Sequence, residues 1–431
     1  MKFTLSALTR GRRGIIMCGA SRLCGEQQMN IDEQVTYLMR GTEYGDEDLK
    51  RAMAAELHQR LIEAEEEGRP LRVYCGYDPR TTDLHLGHTI TMRKLRQFQE
   101  LGHEVTFLVG TYTSLIGDPS DKDQLRPQLT PEQVEHNART YAQQAYKILD
   151  PEKTLIRYNA EWLAGLTFAD LIRLASNFTI QQFLTRENFK LRWEQGDAIY
   201  LHETFYALMQ GYDAYAMRSD VQVGGTDQLF NIVTAARKVM TFLGFKPNVA
   251  IIMGILPGTD GEVRMSKSLG NHIPLLASPE DMYGKVMSVP DKAMDDYFRL
   301  VTRWSSDQIA ELESGMQSGR LHPRDVKMKL AGEIVAIFHD AEAAAQAEQH
   351  FVRVFQQGDL PVEMPEFALQ PGQTVLDVLD ASGLVATRSE GRRLLLQNGV
   401  RLDGEFLNNP NQPFPHPGVL QAGKRRFLRV Q

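Results

Sequence analysis

Leu71-Arg72-Val73-Tyr74-Cys75-Gly76-Tyr77-Asp78-Pro79, then His85-Leu86-Gly87-His88, then Val105-Thr106-Phe107-Leu108-Val109-Gly110: this stretch decides the fold. The two apolar runs, each closed by a turn signal, read as strands buried on both faces. Between them Ile90, Leu95, Phe98 and Leu101 recur at roughly helical spacing, which predicts a helix from about His85 to Leu101, and Gly102 ends it. Strand, helix, strand is the βαβ unit of a parallel sheet. His85 to His88 then opens a helix, where unpaired N–H groups and the positive dipole end suit a phosphate. Two imidazoles there can donate to phosphate oxygens, and Gly87, lacking a Cβ, lets a flat nucleotide ring approach the backbone.

Working outward, residues 32–67 read as helical with a break near Gly41 to Gly45, stopped by Gly68-Arg69-Pro70. Residues 163–215 are mainly helical, Val221 to Gly225 is a strand running into a glycine turn, 231–243 is a helix, and Val249 to Met253 is another strand. The alternation predicts an α/β, Rossmann-like parallel sheet. Arg264-Met265-Ser266-Lys267-Ser268 follows as a loop with a lysine between two serines, a clamp for a polyphosphate. Helices are expected over 307–314, 325–339 and 341–356, then a linker marked by Pro361, Pro365 and Pro371. The expected domains are an extension over 1–28, a nucleotide-binding catalytic domain over 29–278, a helical domain over 279–360, a linker over 361–370, and a small α+β unit over 371–431.

A chain of 431 residues allows two or three domains and a large core. It has no apolar run long enough to span a membrane. Cys18, Cys24 and Cys75 show neither paired nor metal-type spacing, which fits a reducing cytoplasm and no structural zinc. A net charge of −7 argues against indiscriminate coating of nucleic acid. The charge is uneven, however. From residue 371 onward eight Lys/Arg face five Asp/Glu, so that segment is positive by three while the remainder is negative by ten. Residues 1–28 carry Lys2, Arg10, Arg12, Arg13 and Arg22 against the single acid Glu26. A disordered extension, or a start at Met29, is favoured there over a targeting peptide.

His85-Leu86-Gly87-His88 and Arg264-Met265-Ser266-Lys267-Ser268, in this order, resemble the paired motifs of class I aminoacyl-tRNA synthetases. Tyr74 to Pro79, Leu115-Ile116-Gly117-Asp118-Pro119-Ser120, Gln210-Gly211-Tyr212-Asp213 and Gly224-Gly225-Thr226-Asp227-Gln228 resemble, in that order, the bacterial tyrosyl-tRNA synthetases. Thr387-Arg388-Ser389-Glu390-Gly391-Arg392-Arg393 and Val400-Arg401-Leu402-Asp403-Gly404 resemble the S4 RNA-binding module that ends them. The likeness runs from about residue 30 to the C-terminus. Arg264 departs from it, standing where the family loop often begins with Lys; the charge stays but the geometry differs.

The resemblance implies tyrosine–tRNA ligation. Tyrosine's carboxylate attacks the α-phosphate of ATP, giving tyrosyl-adenylate and pyrophosphate, and a ribose hydroxyl at the tRNA 3′ end then takes the tyrosine. The chemistry needs positioning and charge neutralisation rather than a protein nucleophile. His85, His88 and Lys267 are implied for this, with Lys122 and Arg126 as further cations and Mg²⁺ arriving with the nucleotide. Cys75, Asp78, Gly87, Gly224, Gly225, Asp227, Gln228, Arg264 and Ser266 match the ATP and adenylate surroundings. Tyr74 and Asp213 match the positions that meet the phenol; Asp118, Tyr206, Gln210 and Gln228 match those around the amino acid. Tyr206, Gln210 and Asp213 fall on one helix face. A homodimer sharing tRNA is also implied.

Each signal has a plainer reading. His85 and His88 alone could be cap or surface residues, Ser266-Lys267-Ser268 a polar loop, Cys75 a core cysteine, and Tyr206 and Gln210 ordinary helix residues. Arg388, Arg392, Arg393 and Arg401 are the RNA-binding candidates of the tail, and Lys424-Arg425-Arg426 could be only a solvated face. Aromatics are few there (Phe406, Phe414, Phe427), which favours recognition of RNA shape and backbone. Two other functions compete. The tryptophan enzyme shares the fold, but an indole offers only a donor and makes no use of both Tyr74 and Asp213. A non-catalytic RNA-binding protein predicts loss of the His85, His88, Lys267 and tyrosine-pocket residues, and all are present.

Overall fold

The computed structural model describes residues 29–79, 83–119, 130–356, 364–385, 387–423 and 426–431. The 1–28 extension, Lys122, Arg126, Lys424 and Arg425 lie outside them. The chain forms two compact units. The first runs to Gly258 and adds Val263–Leu275 and Arg299–Val301; the second comprises Thr259–Glu262, Leu276–Phe298 and Thr302–Gln431.

The first unit is built on a parallel sheet of β1 (Arg72–Tyr77), β2 (Glu104–Val109), β3 (Thr154–Tyr158), β4 (Val221–Gly225) and β5 (Val249–Met253), in the order β3-β2-β1-β4-β5. All pairings are parallel. The chain grows from β1 to β2 and β3, then returns to the other side of β1 with β4 and β5. The crevice at the carboxyl ends of β1 and β4 is therefore the switch point where open α/β sheets take ligands. Burial on both faces explains the near-continuous apolar runs: Val105, Phe107, Leu108 and Val109 in β2 and all of β5 are buried. The helix Thr89–Glu100 packs on β1, β2 and β4 through Ile90, Met92, Leu95 and Phe98.

Three local features depart from the sequence expectation. β3 is an edge strand with only Thr154 buried, and Leu155 and Tyr158 exposed, so it carries no run of core residues to announce it. Residues 231–243 open as a π-helix over Phe230–Ala236 before the α-helix Arg237–Phe242. The segment from His85 is a 3₁₀ turn, Leu86–His88, and the α-helix begins only at Thr89. The backbone N–H of His85 donates to His88 Nδ1 (3.1 Å), that of Leu86 to the Ile273 carbonyl (2.9 Å), and that of His88 to the His85 carbonyl (2.9 Å). Those three amides are thus engaged within the protein and are not open to an anion.

In the second unit, the helices Pro279–Met287, Pro323–Phe338 and Ala341–Phe351 pack on one another through Met282, Tyr283, Val286, Leu330, Ile334 and Ala347. Further along come β6 (Glu366–Phe367), β7 (Val400–Leu402), β8 (Glu405–Leu407), β9 (Gly418–Ala422) and β10 (Arg426–Val430), in the order β6-β10-β9-β7-β8. With the helices Val375–Ala381 and Arg388–Leu396 they enclose a core of Val375, Leu379, Leu395, Val400, Leu420 and Leu428. No helix among the described residues is long and apolar enough to cross a membrane.

Candidate active site

A cavity of about 420 Å³ opens at the switch point of the first unit. Every candidate outside the tail that lies within the described residues lines it: Tyr74, Cys75 and Asp78 from β1 and its end; His85, Gly87 and His88; Asp118; Tyr206, Gln210 and Asp213 from the helix Leu201–Ala216; Gly224 and Gly225 at the end of β4 with Asp227 and Gln228 just beyond it; and Arg264, Ser266 and Lys267.

One end of the cavity is a buried polar network. Asp213 accepts from Trp162 Nε1 (2.7 Å) on one oxygen and from Asn159 Nδ2 (3.3 Å) on the other. Burial pushes its pKa up to about 7, although those two donors pull the other way. Tyr74 is 1% exposed, its hydroxyl has no hydrogen-bond partner among the described residues, and burial with the nearby Asp213 charge raises its pKa. Asn159 also donates to Thr113 Oγ1 (3.0 Å), Thr113 donates to Asp78 Oδ1 (2.7 Å), and the Tyr206 hydroxyl donates to Asp78 Oδ2 (3.0 Å). A Cβ on Gly110 would collide with both Asp78 Oδ1 and Thr113 Oγ1, so glycine there is a condition of that bond. Gln228 Nε2 donates to Asp118, and Arg186, buried across the rings of Phe189 and Phe230, stands 3.9 Å from the same carboxylate. The Gln210 amide oxygen is buried without a partner among the described residues.

The other end is cationic. The bridge His85↔Pro274 and the Leu275 N–H to Leu84 carbonyl bond (3.1 Å) tie the His85 turn to the segment after Lys267. Asn271 shapes that loop: its carbonyl oxygen accepts from the Ser266 N–H (2.8 Å), and its amide donates to the Arg264 carbonyl (3.2 Å). Lys267 Nζ reaches Asp83 (3.3 Å), and Arg264 reaches Asp227 (3.3 Å). Burial, together with the neighbouring His88, His272, Lys267 and Arg264 side chains, drives the His85 pKa far below the ordinary imidazole range, so this ring is neutral. Its Nδ1 is buried without a partner among the described residues. His88 accepts at Nδ1, so the proton of its neutral form sits on Nε2. A Cβ on Gly87 would stand 3.1 Å from the His85 ring. The close approach that glycine permits is therefore that of the imidazole.

A buried donor-and-acceptor end joined to a cationic end suits a small polar molecule beside a polyphosphate. A sequence profile described as "tRNA synthetases class I (W and Y)" matches residues 66–356, more than half of the chain. The chain belongs to that family. Among curated relatives of this class I synthetase, the tyrosine–tRNA ligase of Moorella thermoacetica is 47% identical over 378 residues, covering 87% of this chain and 91% of that one. The tyrosine–tRNA ligase of Haemophilus influenzae is 48% identical over 372 residues, covering 86% and 92%. Among solved structures, a C-terminally truncated mitochondrial tyrosyl-tRNA synthetase of Aspergillus nidulans aligns with a TM-score of 0.59 at 23% identity, over 77% of this chain and 95% of that one. The Archaeoglobus fulgidus tyrosyl-tRNA synthetase complexed with L-tyrosine gives 0.57 at 23%, over 74% and 100%. These structures share the synthetase fold.

Within this synthetase, Cys75 is a buried thiol whose pKa burial raises to about 11, which makes it a contact surface rather than a nucleophile. Asp78, expected near the nucleotide, spends both carboxylate oxygens on Thr113 and Tyr206. Gly110, Thr113, Asn159, Trp162, Arg186 and Asn271 were not legible as site residues in the sequence. Only the position of Asn159 and Trp162 just after a strand could have suggested them, and that strand was the unmarked β3. In the second unit, Arg388 is held by Asp377 (2.8 Å) and Asp380 (3.4 Å), and the Thr374 hydrogen bonds, with Arg388 adding to them, lower the Asp377 pKa to about 2. Arg392 and Arg393 are exposed on the same helix, and Arg401 lies on β7 with its guanidinium 4.3 Å from the Phe406 ring centroid.

Proposed function

We infer that this chain is a tyrosine–tRNA ligase that activates tyrosine with ATP and transfers it to tRNA(Tyr). The observation that carries the choice is the paired end of the cavity: the unpartnered Tyr74 hydroxyl beside the buried Asp213 carboxylate. A phenol donates to Asp213 and accepts from Tyr74; an indole does only the first. Asp118, Tyr206, Gln210 and Gln228 surround the ammonium and carboxylate of the amino acid. His85, His88, Arg264, Ser266 and Lys267 face the triphosphate, and Cys75, Asp78, Gly87, Gly224, Gly225 and Asp227 line the nucleoside. His85, being neutral, stabilises developing phosphate charge as a hydrogen-bond donor, while Lys267 supplies positive charge. Lys122 and Arg126 join them on the strength of their place after Asp118. The nucleotide end offers N–H donors and cations rather than a carboxylate cage, so Mg²⁺ fits as a companion of the polyphosphate, held by its oxygens and water.

The same reading extends to domains and partners. Residues 29–278 form the catalytic domain, 279–360 a helical domain on the anticodon side, and 361–370 a linker. Residues 371–431 form an S4-like RNA-binding domain in which Arg388, Arg392, Arg393 and Arg401 approach phosphates. A second copy of the chain is supported by exposed apolar side chains gathered between residues 168 and 201: Phe168 (78% exposed), Ile172, Ile180, Trp193 (66%), Tyr200 and Leu201. The cysteine usage supports a cytoplasmic location.

Amino-acid-dependent ATP–pyrophosphate exchange, run with tyrosine, tryptophan and phenylalanine and without tRNA, tests the reading. Exchange with tyrosine alone is expected. Exchange with tryptophan overturns the roles of Tyr74 and Asp213, and no exchange with any of the three overturns the enzyme.

A further inference from the structure

The outward face of the C-terminal sheet carries a row of side chains that crosses four strands. The register pairs Phe406 of β8 with Arg401 of β7, Arg401 with Gln421 of β9, and Gln421 with Phe427 of β10. Alternation along the strands sets this row opposite the buried Val400, Leu402, Leu420 and Leu428, and puts Arg429 on the outward face two residues beyond Phe427. Phe414, the remaining aromatic candidate of the tail, is packed in the core. Phe406 is 54% exposed, and the Arg401 guanidinium covers part of it. Arg401 and Arg429 are exposed and form no ion pair among the described residues, whereas Arg388 and Arg426 are each held by carboxylates.

We propose that this sheet face binds unpaired bases of RNA, which stack on the Arg401–Phe406 plane and on Phe427 while Arg401 and Arg429 meet the flanking phosphates. The occupant follows from the chemistry of the row. Rings and guanidinium planes spaced across an open sheet offer π-faces to bases, and only unpaired bases have faces to offer in return, since a duplex hides them. The net positive charge of residues 371–431 complements a polyanion and opposes an acidic protein partner. A cross-strand cation–π pair could merely steady the hairpin, but that would explain neither the second ring of the row nor the second unpaired arginine. The inference rests on the assignment of the tail to RNA and adds a surface distinct from the Arg392–Arg393 helix.

The test is equilibrium binding of a tRNA(Tyr) transcript to the full chain across a salt series. Phe406→Leu is expected to weaken binding roughly five- to a hundred-fold, the range for losing one stacked base, without changing the slope of log K on log salt. Phe406→Trp, which keeps a ring, should retain the affinity. Arg392→Glu with Arg393→Glu should instead weaken binding and flatten the salt slope. If Phe406→Leu binds like the parent while the double reversal weakens binding, the sheet face is overturned and the tail assignment stands. If neither changes binding, both fall. Equal weakening by Phe406→Leu and Phe406→Trp also overturns stacking, because it reports fit of the side chain rather than its π-face.

Discussion

Tyrosine binding should depend on pH through Asp213. In the free protein, burial raises this carboxyl from 3.8 to about 7, so the fold favours the protonated form. Its contribution to the stability of the unliganded protein is therefore complete below about pH 4 and lost as pH rises through about 7. In the docking proposed above, bound tyrosine would reverse the preference, because a phenolic O–H donated to Asp213 stabilises the carboxylate. Tyrosine affinity should then be flat above about pH 8 and fall by up to a factor of ten per pH unit below about 7, reaching roughly a 30-fold loss, or about 2 kcal/mol, at pH 5.5. Isothermal titration calorimetry between pH 5.5 and 8.5 measures it directly, and Trp162, bonded to the same carboxylate, provides a fluorescence readout. Asp213→Asn is the matching variant. An amide oxygen can accept from Trp162 or from Asn159 but not from both through its two positions, so binding weakens at every pH and the slope disappears. A pH-independent affinity in the parent protein, or an unchanged slope in the variant, would refute the reasoning.

Three further outcomes are expected. Lys267→Ala should slow ATP–pyrophosphate exchange by roughly 10²- to 10³-fold, the scale of one lost charge-stabilising contact; an equal loss of tyrosine affinity would move Lys267 to the wrong substrate. Gly110→Ala should weaken tyrosine binding by about 1–3 kcal/mol by breaking the Thr113–Asp78 bond, and calorimetric affinity at pH 8 reports it. Glu203→Gln should cost about 3–5 kcal/mol of stability in urea unfolding, because it strands the buried Arg192 guanidinium that Glu203 now meets through two bonds of 2.7 and 2.9 Å; a midpoint within error of the parent would count against it.

The strands that build the crevice were legible because they are buried on both faces: Val73 to Cys75 in β1, Val105 to Val109 in β2 and all of β5 leave apolar runs that nothing else explains. The residues around the cavity were legible where a short motif carried them together, as in His85 to His88 or Gly224 to Gln228. What escaped is joined only through space. Asn159 and Trp162 meet Asp213 across 54 and 51 residues of sequence, and they leave an edge strand whose exposed side chains carry no core pattern. Arg186 reaches Asp118 from a helix start and sits between two phenylalanines, a setting that no local spacing announces. Gly87 shows the complementary failure. Its need for glycine was readable, but the neighbour that imposes it, the His85 ring, was visible only in the folded chain.

The polar end of the cavity also explains why a protein would keep so costly an arrangement. A buried carboxylate and a buried phenol without a partner each oppose folding by about 1–3 kcal/mol. Asp213 has two donors that do not outweigh its burial, and the Tyr74 hydroxyl has no partner among the described residues. In the docking proposed above, a tyrosine ligand would complete both with one hydroxyl and recover the deficit as binding free energy. Phenylalanine fills the same apolar space but leaves the deficit standing, so selection against it needs no steric block. The incompleteness of the free site and its selectivity are then the same physical fact. Tyr74→Phe, which removes one deficit, should make the free protein more stable while narrowing the ratio of tyrosine to phenylalanine exchange.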